Sequence, residues 1–145
     1  MINWVIKDYN ALSANQLYAL LQLRQEVFII EQNCNYLDAD GYDLFAKHVM
    51  CYQKNELIAY MRIVYPGKIY DTVSFGRILV KKSFRGMGYG KQIVKQGIQL
   101  FPENEKITMS AQLYLKKMYE SFDFQGVGEE YLEDQIPHIK MVRNG

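Results

Sequence analysis

Apolar positions along the chain switch between two periods, and the switches mark out its elements. Trp4 and Ile6 alternate with polar neighbours, the period-two signature of a short first strand. Ser13-x-x-Gln16 reads as a capping box, in which hydroxyl and side-chain amide serve the free backbone amides of a helix start. Leu17, Leu20, Leu21, Arg24, Val27 and Phe28 follow at helical spacing, so this helix lays a leucine face on the core and ends near Ile30. Residues 31–45 are polar and turn-rich, with Asp38, Asp40 and Asp43 around Gly41. Strand-like runs at 47–53 and 57–65 are joined by Lys54-Asn55-Glu56, and a break at Pro66-Gly67-Lys68 leads to a third at 72–80. These three are expected to form an antiparallel meander. Ile93, Val94, Gly97, Ile98 and Phe101 recur at three and four, predicting a helix that Pro102 ends, with Gly97 packed closely on the sheet. A short strand at 107–111 and a helix at 113–122 follow, the latter carrying Leu115, Met118, Tyr119 and Phe122 at helical spacing. Residues 124–131 and 136–142 read as two strands around an acidic link. The order is β-α-β-β-β-α-β-α-β-β, without linker, repeat or low-complexity segment, so residues 1–145 are expected to form one α/β domain.

Composition narrows the partners more than the fold. With 145 residues, 49% of them apolar, the chain can build a core without staples. A net charge of +1 and scattered basic residues give no electrostatic argument for a nucleic-acid or membrane-surface partner. Cys34 and Cys51 have no metal-ligand spacing and make a poor disulfide framework, so both read as reduced thiols, one in a loop and one in a strand. The acidic loop lacks a calcium pattern: counting from Asp38, position twelve is Val49 where a glutamate is required. No signal-peptide stretch or membrane-spanning run occurs, and a soluble cytoplasmic protein is expected.

The candidate chemistry lies behind the third strand of the meander. Lys81 to Phe84 form a short loop, followed by Arg85, three glycines at alternate positions (Gly86, Gly88, Gly90) and an amphipathic helix. Glycine lets the main chain approach a ligand, and the first amides of a helix are unpartnered at its positive end. Such a turn is an anion cradle, best suited to a phosphate or pyrophosphate. A P-loop needs four residues before its Gly-Lys pair and a hydroxyl after it. Here three separate Gly86 from Gly90, and Gln92 follows Lys91, which argues against a kinase. The dinucleotide fingerprint fails too, since Gly86-x-Gly88-x-Gly90 is not G-x-G-x-x-G. The plain alternative is a strand-to-helix turn that merely uses glycine.

Arg85-x-x-Gly88-x-Gly90 behind a strand ending in Val80 resembles the acetyl-coenzyme A signature Q/R-x-x-G-x-G/A of the GNAT superfamily of N-acetyltransferases. Over nearly its whole length the chain is similar to the ElaA-like subfamily. That similarity rests on Gln16-Leu17-Tyr18-Ala19-Leu20-Leu21-Gln22-Leu23-Arg24, on Val27-Phe28 with Glu31-Gln32-Asn33-Cys34, and on Ile136-Pro137-His138-Ile139. The resemblance implies an α/β (α+β) GNAT acyl-CoA N-acyltransferase fold, a mixed central sheet of about seven strands flanked by helices. It implies acetyl-CoA as co-substrate, in a wedge between the strand ending at Val80 and the one at 107–111. The Ile78-Leu79-Val80 segment would hold thioester and pantetheine through main-chain groups of Ile78 and Val80. Amides of Gly86, Met87, Gly88, Tyr89, Gly90 and Lys91 would take the pyrophosphate, with Arg85 either adding charge or bracing the turn. The 31–45 loop would help to wall the acceptor pocket. Many such proteins are dimeric, which leaves a homodimer open.

The implied reaction is direct acyl transfer from sulfur to a primary amine of a small molecule or peptide, and it needs proton handling. An alkylamine with a pKa near 10 is neutral about once in a thousand at pH 7, a penalty of roughly 4 kcal/mol. The departing thiolate also gains from an acid. Tyr119 matches the family's tyrosine within a Tyr-x-x-x-Asp-Phe run, although Asp123 stands where that family usually has Gly. Its plain reading is one more core aromatic among twelve tyrosines. His48, His138 and Glu31 are the candidate bases, His138 also a substrate contact, and each has a structural alternative as a bonded core histidine or a loop cap. Arg24, on the inward side of its helix, is either a salt-bridged or snorkelling side chain or a substrate contact. Arg62 and Arg77, in apolar strands, are either satisfied by internal carboxylates or point into a cleft toward an anionic acceptor. No metal is expected. The rival to an enzyme is a coenzyme A-sensing or partner-binding module.

Overall fold

The computed structural model describes residues 1–144. Seven strands form one sheet: β1 (Ile2–Asp8), β2 (Ala46–Gln53), β3 (Glu56–Val64), β4 (Val73–Val80), β5 (Ile107–Gln112), β6 (Phe124–Glu133) and β7 (Ile136–Arg143). Their order is β1-β2-β3-β4-β5-β7-β6. All neighbours run antiparallel except β4 and β5. The expected meander is present as β2, β3 and β4.

Helices cover both faces. Helix α1 (Ala14–Arg24) starts on the expected box: Ser13 Oγ accepts from the Gln16 amide at 3.1 Å and Gln16 Oε1 from the Ser13 amide at 2.9 Å. It continues through a π-helical segment, Gln25–Glu31, so the element does reach past Ile30, with a widened last part. Leu20, Leu23, Val27 and Phe28 pack with Met50, Leu57, Tyr60 and Leu79 on one face of the sheet. Helices α2 (Tyr89–Ile98) and α3 (Lys116–Glu120) cover the other, over Val49, Ile58, Met61, Phe75 and Met109. Gly97 of α2 sits hard against the sheet, since a Cβ there would lie 2.9 Å from Phe75 Cζ and closer still to Met61.

Two helix ends differ from the sequence expectation. Helix α2 stops at Ile98, ahead of Pro102, and its exit tightens into i→i+3 bonds from Leu100 to Gly97 and from Phe101 to Ile98. Proline disfavours helical geometry in the residue before it, so the chain is already leaving at Phe101. Residues 113–122 divide into a 3₁₀ turn, Leu113–Leu115, and the short α3.

The feature that positions the site is the parting of β4 from β5. Their pairing is confined to Val73↔Ile107 and Ser74↔Thr108. Beyond it β4 stays on β3 as far as Ala59↔Val80, while β5 stays on β7 as far as Gln112↔His138. A bulge in β4 lies where the β3 register shifts between Tyr60 and Arg62, with Arg77 in left-handed geometry at φ 51°. Bulges increase local twist and re-aim the strand, which turns the end of β4 away from β5.

Candidate active site

The parted strands open a cleft of about 560 Å³ through the sheet. Its walls are β4 and β5, its ends are the π-helical segment on one side and the glycine turn with α2 on the other. The Lys81 amide donates to the Ile58 carbonyl at 2.8 Å, which sets the phase of the β3–β4 ladder. Antiparallel hydrogen-bonded pairs recur every second residue, so Leu79 faces β3 and the main-chain groups of Ile78 and Val80 face the cleft. All three residues line it.

The glycine turn is open as the sequence suggests. Gly86 and Gly88 have φ of 80° and 87°, and Cβ atoms placed on them would meet nothing within 4 Å. The first amide with a helical acceptor is that of Gln92, donating to the Gly88 carbonyl at 3.1 Å. Among the described residues no hydrogen bond engages the amides of residues 86–91. Six main-chain donors, at a helix start, are thus without a partner among the described residues. Gly86, Gly88, Tyr89, Gly90 and Lys91 line it, whereas Met87 points outward and is exposed. Arg85 braces the turn: Nε donates to the Val80 carbonyl at 3.0 Å, and both terminal nitrogens donate to Glu31, Nη2 at 2.8 Å. That salt bridge fastens the glycine turn to the last residue of the π-helical segment.

Tyr119 sits in α3 beside the cleft. Its ring is 3% exposed and packs edge-on to Phe124 with centroids 6.3 Å apart, while the residue lines the cleft. No described group hydrogen-bonds its hydroxyl, which is not fully enclosed. Burial pushes its pKa up, so the phenol stays protonated at neutral pH.

The structure divides the other candidates sharply. His48 is fully buried away from the cleft. Its Nε2–H donates to the Asp43 carbonyl at 3.0 Å, because a carbonyl can only accept, and Nδ1 therefore accepts from Tyr60 Oη at 2.6 Å. Burial also lowers its pKa. Both nitrogens are committed, which corrects the reading of His48 as a base. Glu31 lines the cleft but is held by Arg85, whose hydrogen bonds draw its carboxyl below the usual range and make it a weak base. His138 lines the cleft, 6% exposed, with Nδ1–H donating to the Ile136 carbonyl at 2.6 Å. Its Nε2 lies 3.4 Å from Glu133, and its ring stacks on Tyr131.

Arg24 and Arg62 are corrected as well, for they never reach the cleft. Arg24, fully buried, donates Nε to Asp38 and Nη1 to Asp43, each at 2.7 Å. Arg62 holds Asp40 at 2.7 and 3.0 Å and Asp43 at 3.1 Å, leaving only its Nε unpartnered. Arg77 lines the cleft, yet its Nε donates to Asp38 at 2.7 Å and its Nη2 to Asp40 at 3.2 Å. The three aspartates of the turn-rich loop thus neutralise three arginines from α1, β3 and β4 and pin that loop beside the cleft. Burial works against the charge on Asp43, but Arg24 and Arg62 outweigh it and its pKa falls below the ordinary value.

Several lining residues carried no clear sequence signal. Gln32 and Gln112 bond each other across the cleft at 3.2 Å. Ser110 bonds Tyr131 and donates to Glu133 at 3.4 Å. Cys34, buried, donates its thiol to the Asp134 carbonyl at 3.3 Å and ties the β6–β7 hairpin tip to the end of the π-helical segment. A two-residue turn at Asp134-Gln135 would have revealed one pairing: it fixes Glu133↔Ile136 and so brings Tyr131 opposite His138.

A sequence profile described as an acetyltransferase (GNAT) domain matches residues 29–144. The chain belongs to the GNAT acetyltransferase family. It is 40% identical to protein ElaA of Escherichia coli K12 over 148 residues, spanning 99% of this chain and 97% of that one. The crystal structure of Escherichia coli ElaA superposes with a TM-score of 0.93 at 39% identity, covering 99% of this chain and 100% of that chain. An acyl-CoA N-acyltransferase from Pseudomonas aeruginosa gives the same TM-score at 38% identity, with 99% of both chains covered. An aminoglycoside 6′-N-acetyltransferase complexed with coenzyme A shares the fold at a TM-score of 0.67 and 15% identity, over 97% of this chain and 96% of that one. The fold is therefore that of the GNAT acyl-CoA N-acyltransferases, and acyl transfer is the activity of the family. No helix among the described residues is long and apolar enough to cross a membrane.

Proposed function

We propose that this protein transfers an acetyl group from acetyl-CoA directly to a primary amine of a small molecule or peptide. The observation that carries the reading is the junction of an unpartnered amide cradle with a strand whose Ile78 and Val80 main-chain groups open into the same cleft. Those are two anchor points for one elongated ligand, a diphosphate followed by an amide-bearing arm. The amides of residues 86–91 receive the diphosphate, and Ile78 and Val80 align the arm and its thioester. A related fold complexed with coenzyme A supports the same choice of ligand.

Of the candidate bases, His138 is left with a nitrogen to offer. The Nδ1–H bond to Ile136 leaves Nε2, which lies beside Glu133, as the nitrogen that carries the lone pair. His138 removes a proton from the acceptor ammonium, and the freed amine attacks the thioester carbon. As the carbon–sulfur bond breaks, Tyr119 protonates the departing thiolate; the second amine proton restores the phenol. The protein works in the cytoplasm on diffusible amines, as a monomer or homodimer. The test is thiol release from acetyl-CoA over a panel of primary amines, with the acetylated products identified by mass. Release with at least one amine supports the reading. Tight coenzyme A binding without release for any amine would make the chain a binding module instead.

A further inference from the structure

Gly76 stands in β4 where neither the backbone nor the packing asks for glycine. The left-handed residue of the bulge is its neighbour Arg77, at φ 51°, and Gly76 is not among the positive-φ residues. A Cβ placed on Gly76 would meet nothing within 4 Å, whereas one on Gly97 or Gly126 would clash with side chains. Glycine inside a strand weakens it, and its usual reasons are a special backbone conformation or the close approach of another group. Gly76 is half-buried and lines the cleft, so the room left by its missing side chain belongs to that cleft. Side chains alternate along a strand. Phe75 packs on Phe101 and Phe124 beneath α2 and α3, so the open side of Gly76 is the α1 face. Arg62, its cross-strand partner, is turned into Asp40 and Asp43 instead of over it. Val27, Phe28 and Leu79, which pack on that face and line the cleft, are apolar.

Resting on the acyl-CoA reading above, we infer that Gly76 sets the length of acyl chain that the donor can carry. The room over it receives the end of a chain longer than acetyl. In that reading the arm runs from the glycine turn along β4 to Val80 and Ile78, so the acyl group continues toward Gly76. The strands close just past it, at Ser74↔Thr108, which bounds the room in that direction. From the thioester carbon to the last carbon of a butyryl group is about 3.8 Å, the span of one residue of backbone. An acetyl group covers less of the apolar surface there than a propionyl or butyryl group does. A hydrocarbon suits that surface, since the adjacent charge, Arg77, is spent on Asp38 and Asp40. A side chain at position 76 would occupy the same room and shorten the chain that fits.

The test is calorimetry with coenzyme A, acetyl-CoA and butyryl-CoA on the wild type, Gly76→Ala and Gly76→Val. No amine is present, which assigns any effect to the donor rather than to an apolar part of the acceptor. Burying two further methylenes should make butyryl-CoA bind the wild type roughly 10-fold more tightly than acetyl-CoA. In Gly76→Val the preference reverses to about 10-fold in favour of acetyl-CoA, because overpacking expels the longer chain. Gly76→Ala falls between the two. Coenzyme A itself binds all three proteins alike, and neither variant lowers the thermal midpoint, since the added side chain has room. Failure of coenzyme A to bind the wild type strikes the acyl-CoA reading itself. If coenzyme A binds and butyryl-CoA is held no more tightly than acetyl-CoA, the acyl pocket alone is overturned. A butyryl-to-acetyl ratio that both variants leave unchanged overturns the role of Gly76. A midpoint that drops in both variants would overturn it too, by showing that the fold itself requires glycine there.

Discussion

On either side of the bulge in β4 lie two polar clusters that look alike in the sequence and differ in what their hydrogen-bonding capacity meets. On one side, Arg24, Arg62 and Arg77 interlock with Asp38, Asp40 and Asp43 through bonds of 2.7–3.2 Å. On the other, the turn from Gly86 to Lys91 offers a run of amides that no described group accepts. Buried polar groups cost free energy unless they are bonded, so a closed network explains itself within the fold. The open run of donors in the glycine turn is reached by solvent and has no internal partner, which leaves it free to receive a ligand. The charged cluster is scaffold, and the function proposed here makes the glycine-rich turn the binding site, the reverse of what formal charge alone suggests.

The contrast is broken most forcefully at Asp38. Alanine there strips Arg24 Nε and Arg77 Nε of their shared carboxylate, and chemical denaturation should show a loss of about 3–5 kcal/mol. A loss under about 1 kcal/mol, the range of a surface pair, would remove the scaffold role. Gly88→Trp attacks the open side. Its side chain would occupy the cradle, and losing two charge-assisted contacts should weaken coenzyme A binding roughly 1000-fold in calorimetry. Left-handed strain at φ 87° should cost stability only about 1–2 kcal/mol, and unchanged affinity would refute the diphosphate placement.

A finer cut separates cradle from chemistry. Tyr119→Phe keeps the ring packing and deletes the phenolic proton, so kcat should fall about 100-fold while coenzyme A affinity stays nearly intact. Full turnover would take the acid role from Tyr119. The smallest effect belongs to the closed side and to pH. Burial depresses the folded pKa of His48 below its ordinary 6.5, so the unfolded chain takes up the proton first. Its contribution is complete above that value and is lost as pH falls through the folded pKa, by at most about 1.4 kcal/mol per pH unit. His48→Gln should flatten the thermal midpoint between pH 7 and 5, and a slope that persists would place the titration elsewhere. Asp43 adds a second acid-side decline at lower pH, since its folded pKa also lies below the unfolded one.

Local pattern determined most of the elements and the cradle. A capping box, period-two runs and a bare glycine turn each act through neighbours a few residues away, so their consequences can be read from the chain. The fate of Arg24, Arg62 and His48 could not be read that way. Whether a polar side chain is satisfied depends on which partner the fold brings within 3 Å, and Asp38 and Asp43 arrive from 14 and 19 residues away. The same holds for the parting of β4 and β5 and for the meeting of His138, Glu133 and Ser110 across three strands. Sequence set the covalent inventory and the local conformations; only tertiary packing decided which charges cancel, and therefore which surface remains free to bind.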